Sequence, residues 1–441
     1  MNETTRADTK KAQHVSRALV RTSPANHGTP LRVLFLAEAV SLAHVARPSV
    51  LARWAREAGH EVFFACGDRF TGPAREAGLD PIPLPTVSPE SFYRRLSQGR
   101  FFYDEAELET YVRAEVELIR ETKPDLIVGD FRLTMSIAAK LTSTPCLALA
   151  NAYWSPAARE AMPAPETGFL RSFPRGLRDG LFALVRPLAY RTFAKPLDRI
   201  RERYGLLPLR DFRRSYTDGE RCAYLDLPGL FPLSTLPAGH LHLGPVLWNP
   251  SVASDAGVRL LGLQRPLAYV TLGTTGAGLH LPQLLESLLE TGCDVVVSGV
   301  ADARARALRL DLPGLEGRSF ITELIDPSDV LQRAALTVCH GGSGTVYQSL
   351  AMGVPVLGFP GNPDQHLVCL GLQLAGAGLA GNWKHLKSQL LEMLGGTCRS
   401  AARRLASEIQ RHDTRGRWLE FLRNPEASCG SDRASTCPEG V

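Results

Sequence analysis

Short apolar runs alternating with amphipathic helical segments constrain the fold of this chain more than any other feature. The run LRVLFLAEA begins at Leu31 and is followed by an amphipathic helix and a second apolar run, EVFFA. Such a βαβ unit requires a parallel sheet. The alternation recurs in KPDLIVGDF, a helix through IAAKLTS, and TPCLALANA. Because no glycine lies between Leu31 and Ala58, the first unit lacks the G-x-G-x-x-G fingerprint of dinucleotide binding.

A second series of the same kind follows a joint rich in proline and glycine, LGPVLWNPSVASDAG. Its predicted strands are PLAYVTLGTTG, CDVVVSG, RSFITEL and LTVCHGG, its helices are LPQLLESLLETG, PSDVLQRA and SGTVYQSLAMG, and the strand PVLGFPG closes the set. The stretch RSAARRLASEIQRHDTRGRWLEFL predicts one final amphipathic helix. We therefore predict an α/β protein with two doubly wound, Rossmann-like domains and a central ligand cleft at the carboxyl ends of the strands.

The length of 441 residues suits two domains of this kind. We expect a disordered tail over residues 1–30, an N-terminal domain over 31–246, a linker over 247–265 and a C-terminal domain over 266–398. The final helix, 399–423, is expected to pack back on the N-terminal domain, and residues 424–441 to form a second disordered tail.

Composition excludes several classes of protein. The net charge of +5 is small for this length and no segment carries a dense basic stripe, which argues against nucleic-acid binding. The nine cysteines form no C-x-x-C pair and are expected to be reduced thiols. The N-terminal segment lacks the apolar core of a signal peptide, and no apolar run reaches the roughly 18 residues that span a bilayer. The expected location is the cytoplasm.

The most informative segment is CHGGSGTVYQSLAMGVPVLGFPGNPDQH. A buried strand runs into the turn His340 to Thr345, and a helix follows at once. Glycines allow the backbone to approach an anion closely, and the free N–H groups of a first helical turn bind phosphate. His340 adds a donor, while Ser343 and Thr345 add hydroxyls that cap the helix. The alternative is a Gly-rich turn with a capping serine and no ligand; His340 and the later pair Asp364-Gln365 favour a binding site.

In these residues the sequence resembles the family 1 glycosyltransferases, the UDP-glycosyltransferase superfamily of GT-B fold, and in particular its bacterial members that modify antibiotics and macrolides. The family signature is a His-Gly-Gly-(Ser/Ala)-Gly-Thr turn, a Gly-Val-Pro strand start and a terminal Asp-Gln pair. These elements stand here in order at 340–345, 353–355 and 364–365, and the resemblance covers the chain from Leu31 to about Leu422. It implies transfer of a sugar from a uridine- or thymidine-linked diphosphate donor to an acceptor hydroxyl, with inversion.

The resemblance also implies that the C-terminal domain binds the donor and the N-terminal domain the acceptor. The donor-binding residues that match the family are His340, Gly342, Ser343, Gly344 and Thr345 for the diphosphate, Asp364 and Gln365 for sugar hydroxyls, and Gly273 and Thr274 in a second phosphate-side loop.

The chain departs from the plant members of this family at two places. Leu324-Ile325 stands where those members have a base-stacking tryptophan, so the base is expected to rest on backbone and aliphatic groups. Gln348 aligns with a ribose-binding glutamate and can bond a hydroxyl without carrying a charge. The donor base therefore stays open between uridine and thymidine.

Inverting transfer needs a base that takes the acceptor proton, and an imidazole suits this task at neutral pH. His44 lies just past the first predicted strand, where the resembled family has its catalytic histidine, although it follows Ala43 here and not a glycine. A carboxylate on the other ring nitrogen fixes the tautomer. Asp130 ends the strand at which family members carry that carboxylate. The alternative roles are a surface histidine for His44 and a helix N-cap for Asp130.

No metal or other cofactor is expected. The chain has no Asp-x-Asp pair, the motif with which metal-dependent sugar transferases hold a divalent ion on the diphosphate. The helix N-terminus and His340 are expected to stabilise the leaving group instead.

Segment 169–203 mixes Phe, Leu and Tyr with eight Arg and one Lys. It could line an apolar acceptor pocket, contact an anionic membrane surface, or form a helix pair with solvated basic faces. We expect a small lipophilic acceptor, such as a natural product or a lipid.

Three other functions fit parts of the pattern. A sugar-nucleotide epimerase shares the architecture and the donor, but needs acid/base carboxylates in the cleft. A non-catalytic donor-binding partner of another transferase would not need His44 and Asp130. A lipid-linked cell-wall transferase of the same fold would require a polyprenyl acceptor.

Overall fold

The computed structural model describes residues 29–160, 164, 175–250, 262–271, 280–301, 305, 307 and 312–425. The expected tails 1–30 and 424–441 lie almost entirely outside the described residues, as does most of the expected linker 247–265.

The first sheet has seven parallel strands in the order β3-β2-β1-β4-β5-β6-β7. Its strands are β1 (Arg32–Ala37), β2 (Glu61–Cys66), β3 (Ile82–Pro83), β4 (Leu126–Asp130), β5 (Cys146–Ala150), β6 (Arg221–Tyr224) and β7 (His240–His242). β4 and β5 are buried along their whole length, as strands covered on both faces must be.

Seven helices accompany this sheet: α1 (Ala43–Glu57), α2 (Gly72–Glu76), α3 (Pro89–Ser97), α4 (Glu105–Thr122), α5 (Met135–Thr142), α6 (Arg175–Arg203) and α7 (Arg213–Tyr216). The helix pair that was one of the alternatives for segment 169–203 is not found in the described residues 175–203, which form a single helix of 29 residues, α6. It continues through Pro187 and Pro196 because each proline removes only one backbone hydrogen bond, while its C-terminal half is held by burial of Ala194 and Leu197. Residues 169–174 lie outside the described part of the chain.

The second sheet has six parallel strands in the order β10-β9-β8-β11-β12-β13. They are β8 (Leu267–Thr271), β9 (Asp294–Ser298), β10 (Ser319–Ile321), β11 (Ala334–Cys339), β12 (Val356–Gly358) and β13 (Gly378–Ala380). The prediction that PVLGFPG closes this series was wrong, because β13 follows it at the edge of the sheet. The accompanying helices are α8 (Leu281–Glu290), α9 (Pro327–Leu331), α10 (Ser343–Ala351), α11 (Pro363–Leu374) and α12 (Leu386–Leu394).

Both sheets confirm the prediction of two doubly wound α/β units. In each, chain order reverses about the first strand, so that the switch point lies between β1 and β4 in one sheet and between β8 and β11 in the other. Open parallel sheets bind ligands at the carboxyl ends of the strands beside this point. The loops after β1, β4 and β11 are therefore the places at which a site is expected.

The C-terminal stretch, predicted as one helix, forms two: α13 (Arg399–His412) and α14 (Thr414–Arg423). Asp413 separates them with a left-handed backbone (φ 47°), and its carboxylate accepts a hydrogen bond from Gly416 N at 3.0 Å. α13 contacts α10 beside the second sheet, whereas α14 contacts α1 beside the first. The ten residues of α14 therefore return to the first sheet, and His412 at the end of α13 lies 3.3 Å from His242 O in β7.

All seven cysteines in the described part of the chain are buried and unpaired, and Cys429 and Cys437 lie outside it. Among the described helices, none combines the length and the apolar content needed to cross a bilayer.

Trp418 anchors α14. Its side chain is fully buried, its ring lies 6.2 Å from that of Phe35, and its indole N–H donates to Leu51 O at 3.0 Å. We expect Trp418→Ala to lower the free energy of unfolding of the first half by about 3–5 kcal/mol, since it removes a large buried ring and leaves a cavity. Urea denaturation followed by circular dichroism measures this. Leu391→Ala, at an exposed leucine, is the control and should change stability by no more than about 0.5 kcal/mol; equal losses in both variants would contradict the assignment.

Candidate active site

His44 and Asp130, predicted from the sequence to form a pair, are in contact. His44 lies in the first turn of α1, just after β1, and Asp130 is the last residue of β4. The distance from His44 Nδ1 to Asp130 Oδ1 is 2.8 Å, with the carboxylate fully buried and the histidine side chain 24% exposed. Because a carboxylate only accepts, Nδ1 carries the proton and Nε2 is left as the acceptor.

The alternative role of Asp130 as a helix cap is wrong. α5 begins after Thr134, which is its N-cap residue, and Asp130 lies before that turn. Its carboxylate is occupied by side chains from α1 instead.

Arg47 binds the same carboxylate from one turn further along α1. Its Nε donates to Asp130 Oδ2 at 3.1 Å and its NH2 donates to Oδ1 at 2.8 Å, which is the two-pronged geometry of a strong arginine–carboxylate pair. The same NH2 lies 3.2 Å from His44 Nδ1. Burial alone would lower the pKa of the Arg47 guanidinium, but Asp130 raises it above its ordinary value. Asp130 is thus a fully paired buried charge.

A chain of hydrogen bonds continues from Arg47 to the second sheet. Arg47 NH1 donates to Asn151 Oδ1 at 2.9 Å, and Asn151 Nδ2 donates to Asp226 Oδ1 at 3.1 Å. Tyr347, on α10, donates its hydroxyl to the same oxygen at 3.0 Å. We call these residues, with His44 and Asp130, the cleft network. It connects the first turn of α1 directly to the helix that follows the Gly-rich turn.

Asp226 is the junction of the cleft network. It lies just beyond β6, is fully buried, and also accepts from Ala152 N at 2.6 Å. Burial raises its pKa to about 6, against the lowering effect of the hydrogen bonds from Ala152, Asn151 and Tyr347. The carboxylate is therefore ionised at neutral pH and becomes protonated below about pH 6.

A strained loop after β4 places an aromatic ring on His44. Phe131 has a left-handed backbone (φ 58°), and its ring stacks on the imidazole with centroids 4.6 Å apart and planes 13° apart. The next residue, Arg132, fastens the loop, since its buried guanidinium donates to Glu38 Oε2 at 2.9 Å and to Glu115 Oε1 at 2.5 Å. This arrangement holds the imidazole in one plane.

The Gly-rich turn lies between β11 and α10, beside the switch point of the second sheet. Gly341 has φ 82° and leaves no room for a side chain, because a Cβ there would meet Cys369 Sγ at 2.6 Å. At Gly342 and Gly344, in contrast, a Cβ would meet no atom within 4 Å among the described residues. The described part of the chain therefore leaves the N-terminus of α10 uncovered beside the predicted diphosphate-binding residues.

The sequence prediction that Ser343 and Thr345 cap this helix was wrong. The N-cap residue is Gly342, and no side chain bonds the first turn of α10. Both hydroxyls are half-buried, and His340 is buried with 6% of its surface exposed. Because no side chain caps it, the first turn keeps its backbone N–H groups for another acceptor.

Asp364 and Gln365, at the start of α11, face the first half of the chain. Asp364 Oδ1 accepts from Tyr153 OH at 3.0 Å and from Trp154 Nε1 at 2.8 Å, both in the turn that follows Asn151. Gln365 is buried and its Oε1 accepts from Gly361 N at 2.8 Å. Of the two residues predicted to bind sugar hydroxyls, Asp364 therefore contacts the turn beside Asn151 of the cleft network, whereas Gln365 bonds within its own loop.

The remaining predicted site residues differ in their placement. Gln348 Nε2 donates to Trp248 O at 2.7 Å, so its amide already bonds the segment that leads out of the first half. Leu324 is 55% exposed, whereas Ile325 is buried among core residues at 2% and has no side chain surface for a base, contrary to the prediction for the pair. Gly273 and Thr274 lie outside the described residues.

An aromatic cluster extends from His44 to a cavity. Phe131 lies 5.5 Å from Phe102, which stacks on Phe101 at 4.5 Å, and Phe101 meets Phe193 of α6 at 5.3 Å. The last two rings line a cavity of about 460 Å³ between the loop before α4 and α6. An apolar molecule in this cavity would be separated from the imidazole only by aromatic rings.

Sequence reasoning missed Arg47, Asn151, Asp226 and Tyr347. Arg47 stands three residues after His44, a spacing that puts both side chains on one helix face. Asn151 and Asp226 follow β5 and β6 as Asp130 ends β4, so the strand-end rule that found Asp130 applies to them too. Among the described residues, no group of three or more His, Cys, Asp or Glu side chains is arranged to hold a metal ion.

The chain is similar in sequence to named mycobacterial proteins. It is 39% identical over 387 residues to "PGL/p-HBAD biosynthesis glycosyltransferase" of Mycobacterium tuberculosis (strain ATCC 25177 / H37Ra), covering 85% of this chain and 88% of that one. It is 40% identical over 364 residues to "PGL/p-HBAD biosynthesis rhamnosyltransferase" of Mycobacterium bovis (strain BCG / Pasteur 1173P2), covering 81% and 78%. No family model matches the chain.

Among solved structures, the chain resembles the spinosyn rhamnosyltransferase SpnG. The form complexed with spinosyn aglycone has a TM-score of 0.64 at 21% identity, covering 90% of this chain and 100% of that one. The form complexed with thymidine diphosphate has a TM-score of 0.63 with the same coverage. This likeness confirms the predicted fold, two Rossmann-like domains of the GT-B type.

Tyr347→Phe tests the link across the cleft. The variant keeps the ring but leaves Asp226 Oδ1 and Leu227 N without their hydroxyl partner, which lies at 3.0 and 3.1 Å respectively. We expect a loss of about 1–3 kcal/mol in the free energy of unfolding, the cost of stranding buried polar groups. Tyr269→Phe is the control, because its buried hydroxyl bonds Ser298 at 2.9 Å within the second sheet and is not part of the cleft network.

The two variants should lose comparable stability but differ in turnover. Tyr347→Phe is expected to lower kcat at least several-fold while Tyr269→Phe leaves it unchanged. Equal kcat in both variants would show that the cleft network serves stability alone.

Proposed function

Because the chain belongs to the family 1 glycosyltransferases of GT-B fold, we propose that it transfers a sugar from a nucleotide diphosphate to a hydroxyl of a lipophilic acceptor, with inversion at the sugar carbon. One observation supports this most strongly. The imidazole of His44, oriented by a buried carboxylate 2.8 Å away, is tied through the cleft network to the open N-terminus of α10.

His44 acts as the base in this proposal. Its Nε2 takes the proton of the acceptor hydroxyl while that oxygen bonds the anomeric carbon and the bond from this carbon to the diphosphate breaks. Asp130 accepts the hydrogen bond from His44 Nδ1–H and stabilises the imidazolium that forms, with Arg47 holding the carboxylate in place. Attack from the side opposite to the diphosphate inverts the configuration.

The leaving diphosphate lies at the start of α10. The backbone amides of Ser343, Gly344 and Thr345 and the positive end of the helix dipole stabilise its charge, and the space above Gly342 and Gly344 admits the phosphates. His340 adds a donor at the same turn. Gly273 and Thr274 are proposed to contact the phosphates from the second loop.

The sugar and the nucleotide base of the donor occupy the two sides of this turn. Asp364 and Gln365 bind sugar hydroxyls, and Gln348 is proposed to reach the ribose by exchanging its bond to Trp248 O for one to a hydroxyl. Leu324 offers an exposed aliphatic surface to the nucleotide base. The structural relative solved with thymidine diphosphate supports a thymidine-linked donor. A uridine-linked donor stays the alternative.

The acceptor occupies the first half of the chain. Phe131 stacks on His44 and belongs to a buried aromatic cluster that continues to Phe193, and we place a natural product or a lipid against this apolar part of the chain. Two relatives named for PGL/p-HBAD biosynthesis support a lipophilic acceptor of this kind. The cytoplasm is the proposed compartment, supported by the seven buried free thiols.

His44→Ala tests the proposed base. We expect kcat to fall by about 10²–10⁴, the usual contribution of a positioned base, with donor binding nearly unchanged. Turnover is measured with UDP- and TDP-sugars and a panel of hydrophobic alcohols and phenols. Donor binding is measured as the thermal shift that each donor causes, which grows with its concentration relative to Kd.

The matched control is His385→Ala, at an exposed histidine in the second half. Unchanged turnover in His44→Ala would exclude His44 as the base. A donor that is converted without any acceptor would instead favour an epimerase.

Activity is expected to survive a chelator. The chain has no Asp-x-Asp pair, and the helix N-terminus of α10 supplies the stabilisation that a divalent ion would give. We expect the same initial rate in excess EDTA as in manganese or magnesium. Loss of activity in EDTA that either metal restores would overturn the proposal of metal-independent transfer.

A further inference from the structure

The N-terminal half of α6 carries an apolar surface that no described part of the chain covers. Its members are exposed by 44–80% and recur at the spacing of one helix face: Leu177, Leu181, Leu184, Val185 and Leu188. We call these five residues the α6 stripe. Over this span the stripe is about 16 Å long at 1.5 Å per residue. A continuous exposed patch of this size marks a contact with another apolar phase.

Positive charge continues the same face. At 100° per residue, Arg191 and Lys195 fall within about 60° of the stripe's centre, directly after Leu188. Both are exposed and form no ion pair with the described residues. Arg199, one turn further, is paired with Glu105 at 2.7 Å. An apolar surface bordered by unpaired cations is complementary to a bilayer with anionic headgroups.

The α6 stripe leads into the aromatic-lined cavity. Ala189 and Thr192, both exposed, follow the stripe on α6 and line the cavity together with Phe101 and Phe193. Arg100, a further exposed cation, stands on the opposite wall. From Phe101 the ring contacts run through Phe102 and Phe131 to His44.

We propose that the α6 stripe docks on a bilayer bearing anionic lipids and that the neighbouring cavity takes the acceptor from this surface toward His44. The docking stands on the exposed leucines and the cations alone; only the acceptor path rests on the proposed function. The stripe inserts its leucines below the headgroups while Arg191 and Lys195 contact phosphates, so that attachment combines apolar burial with charge attraction.

Vesicle flotation of the full chain tests the docking. We expect binding to phosphatidylcholine vesicles that contain 30% phosphatidylglycerol, with weaker binding to phosphatidylcholine alone and a decrease as salt is raised. Leu184→Glu with Leu188→Glu should reduce partitioning at least about tenfold, since two leucines lose their burial. The matched control is Leu374→Glu with Leu391→Glu, two leucines on the second half that are 61% and 53% exposed, and it should bind like the wild type.

A charge variant separates the two contributions. Arg191→Glu with Lys195→Glu should lose binding to the anionic vesicles and remove the salt dependence. Absence of wild-type binding, or undiminished binding of the stripe variant, would overturn the proposal. A dimer of the wild type in sedimentation that the stripe variant converts to a monomer, without vesicle binding, would assign the stripe to a second copy of the chain.

Transfer assays distinguish failure of the docking from failure of the proposed function. The stripe variant should keep the wild-type rate on a short-chain phenol in solution and lose at least about tenfold on a long-chain phenol embedded in anionic vesicles. Equal rates on the embedded acceptor would refute delivery from the bilayer. Absence of transfer to both acceptors in the wild type would refute the proposed function. The docking would then be decided by the vesicle flotation result alone.

Discussion

A carboxylate removed from water must be paired, and two such groups organise the centre of this molecule. Asp130 and Asp226 are both fully buried, one at the end of β4 and the other just beyond β6, with β5 between these two strands of the first sheet. Their partners are the guanidinium of Arg47, the amide of Asn151 and the hydroxyl of Tyr347. Since these partners come from α1, from the end of β5 and from α10, satisfying two charges fixes the placement of elements from both sheets. Apolar packing closes the interface, but the charges set its geometry.

This arrangement leaves one polar atom of the network for chemistry. Nδ1 of His44 is committed to Asp130, and one face of the ring is covered by Phe131, so Nε2 is the nitrogen that remains for a substrate. The left-handed backbone of Phe131 costs about 1–3 kcal/mol in general, and the buried bonds of Arg132 hold it there. In the proposed reaction, a base whose orientation is set before the substrate arrives needs no reorganisation.

The sequence predicted both sheets, the His44–Asp130 pair and the turn before α10, because the βαβ rule and the strand-end rule depend only on local pattern. The glycosyltransferase family inferred from the same turn is confirmed by relatives at 39–40% identity. Edge strands such as β3 and β13 were not predicted, because a run of two or three residues is too short to show a periodic pattern. Asn151 and Asp226 were missed although the strand-end rule applies to them, because the rule was used only for the carboxylate expected beside His44 and the segment of β6 was not among the predicted strands. The break at Asp413 depends on a left-handed residue that is not glycine, and Ile325 is buried by contacts distant in sequence.

The return of α14 makes the chain cross between the two sheets twice. The first crossing leaves β7 through Pro245, and the second runs from His412 to Thr414; Thr414 Oγ1 donates to Pro245 O at 3.2 Å, so the crossings lie side by side. Two chain crossings that lie side by side allow the two halves to rotate about the line through both crossings, and they resist separation of the halves. The crossings also define which segment of the chain can be exchanged between homologous enzymes. A second half exchanged between such enzymes should end at Asp413, because one carried through to Arg423 would place a foreign Trp418 against the recipient's first half.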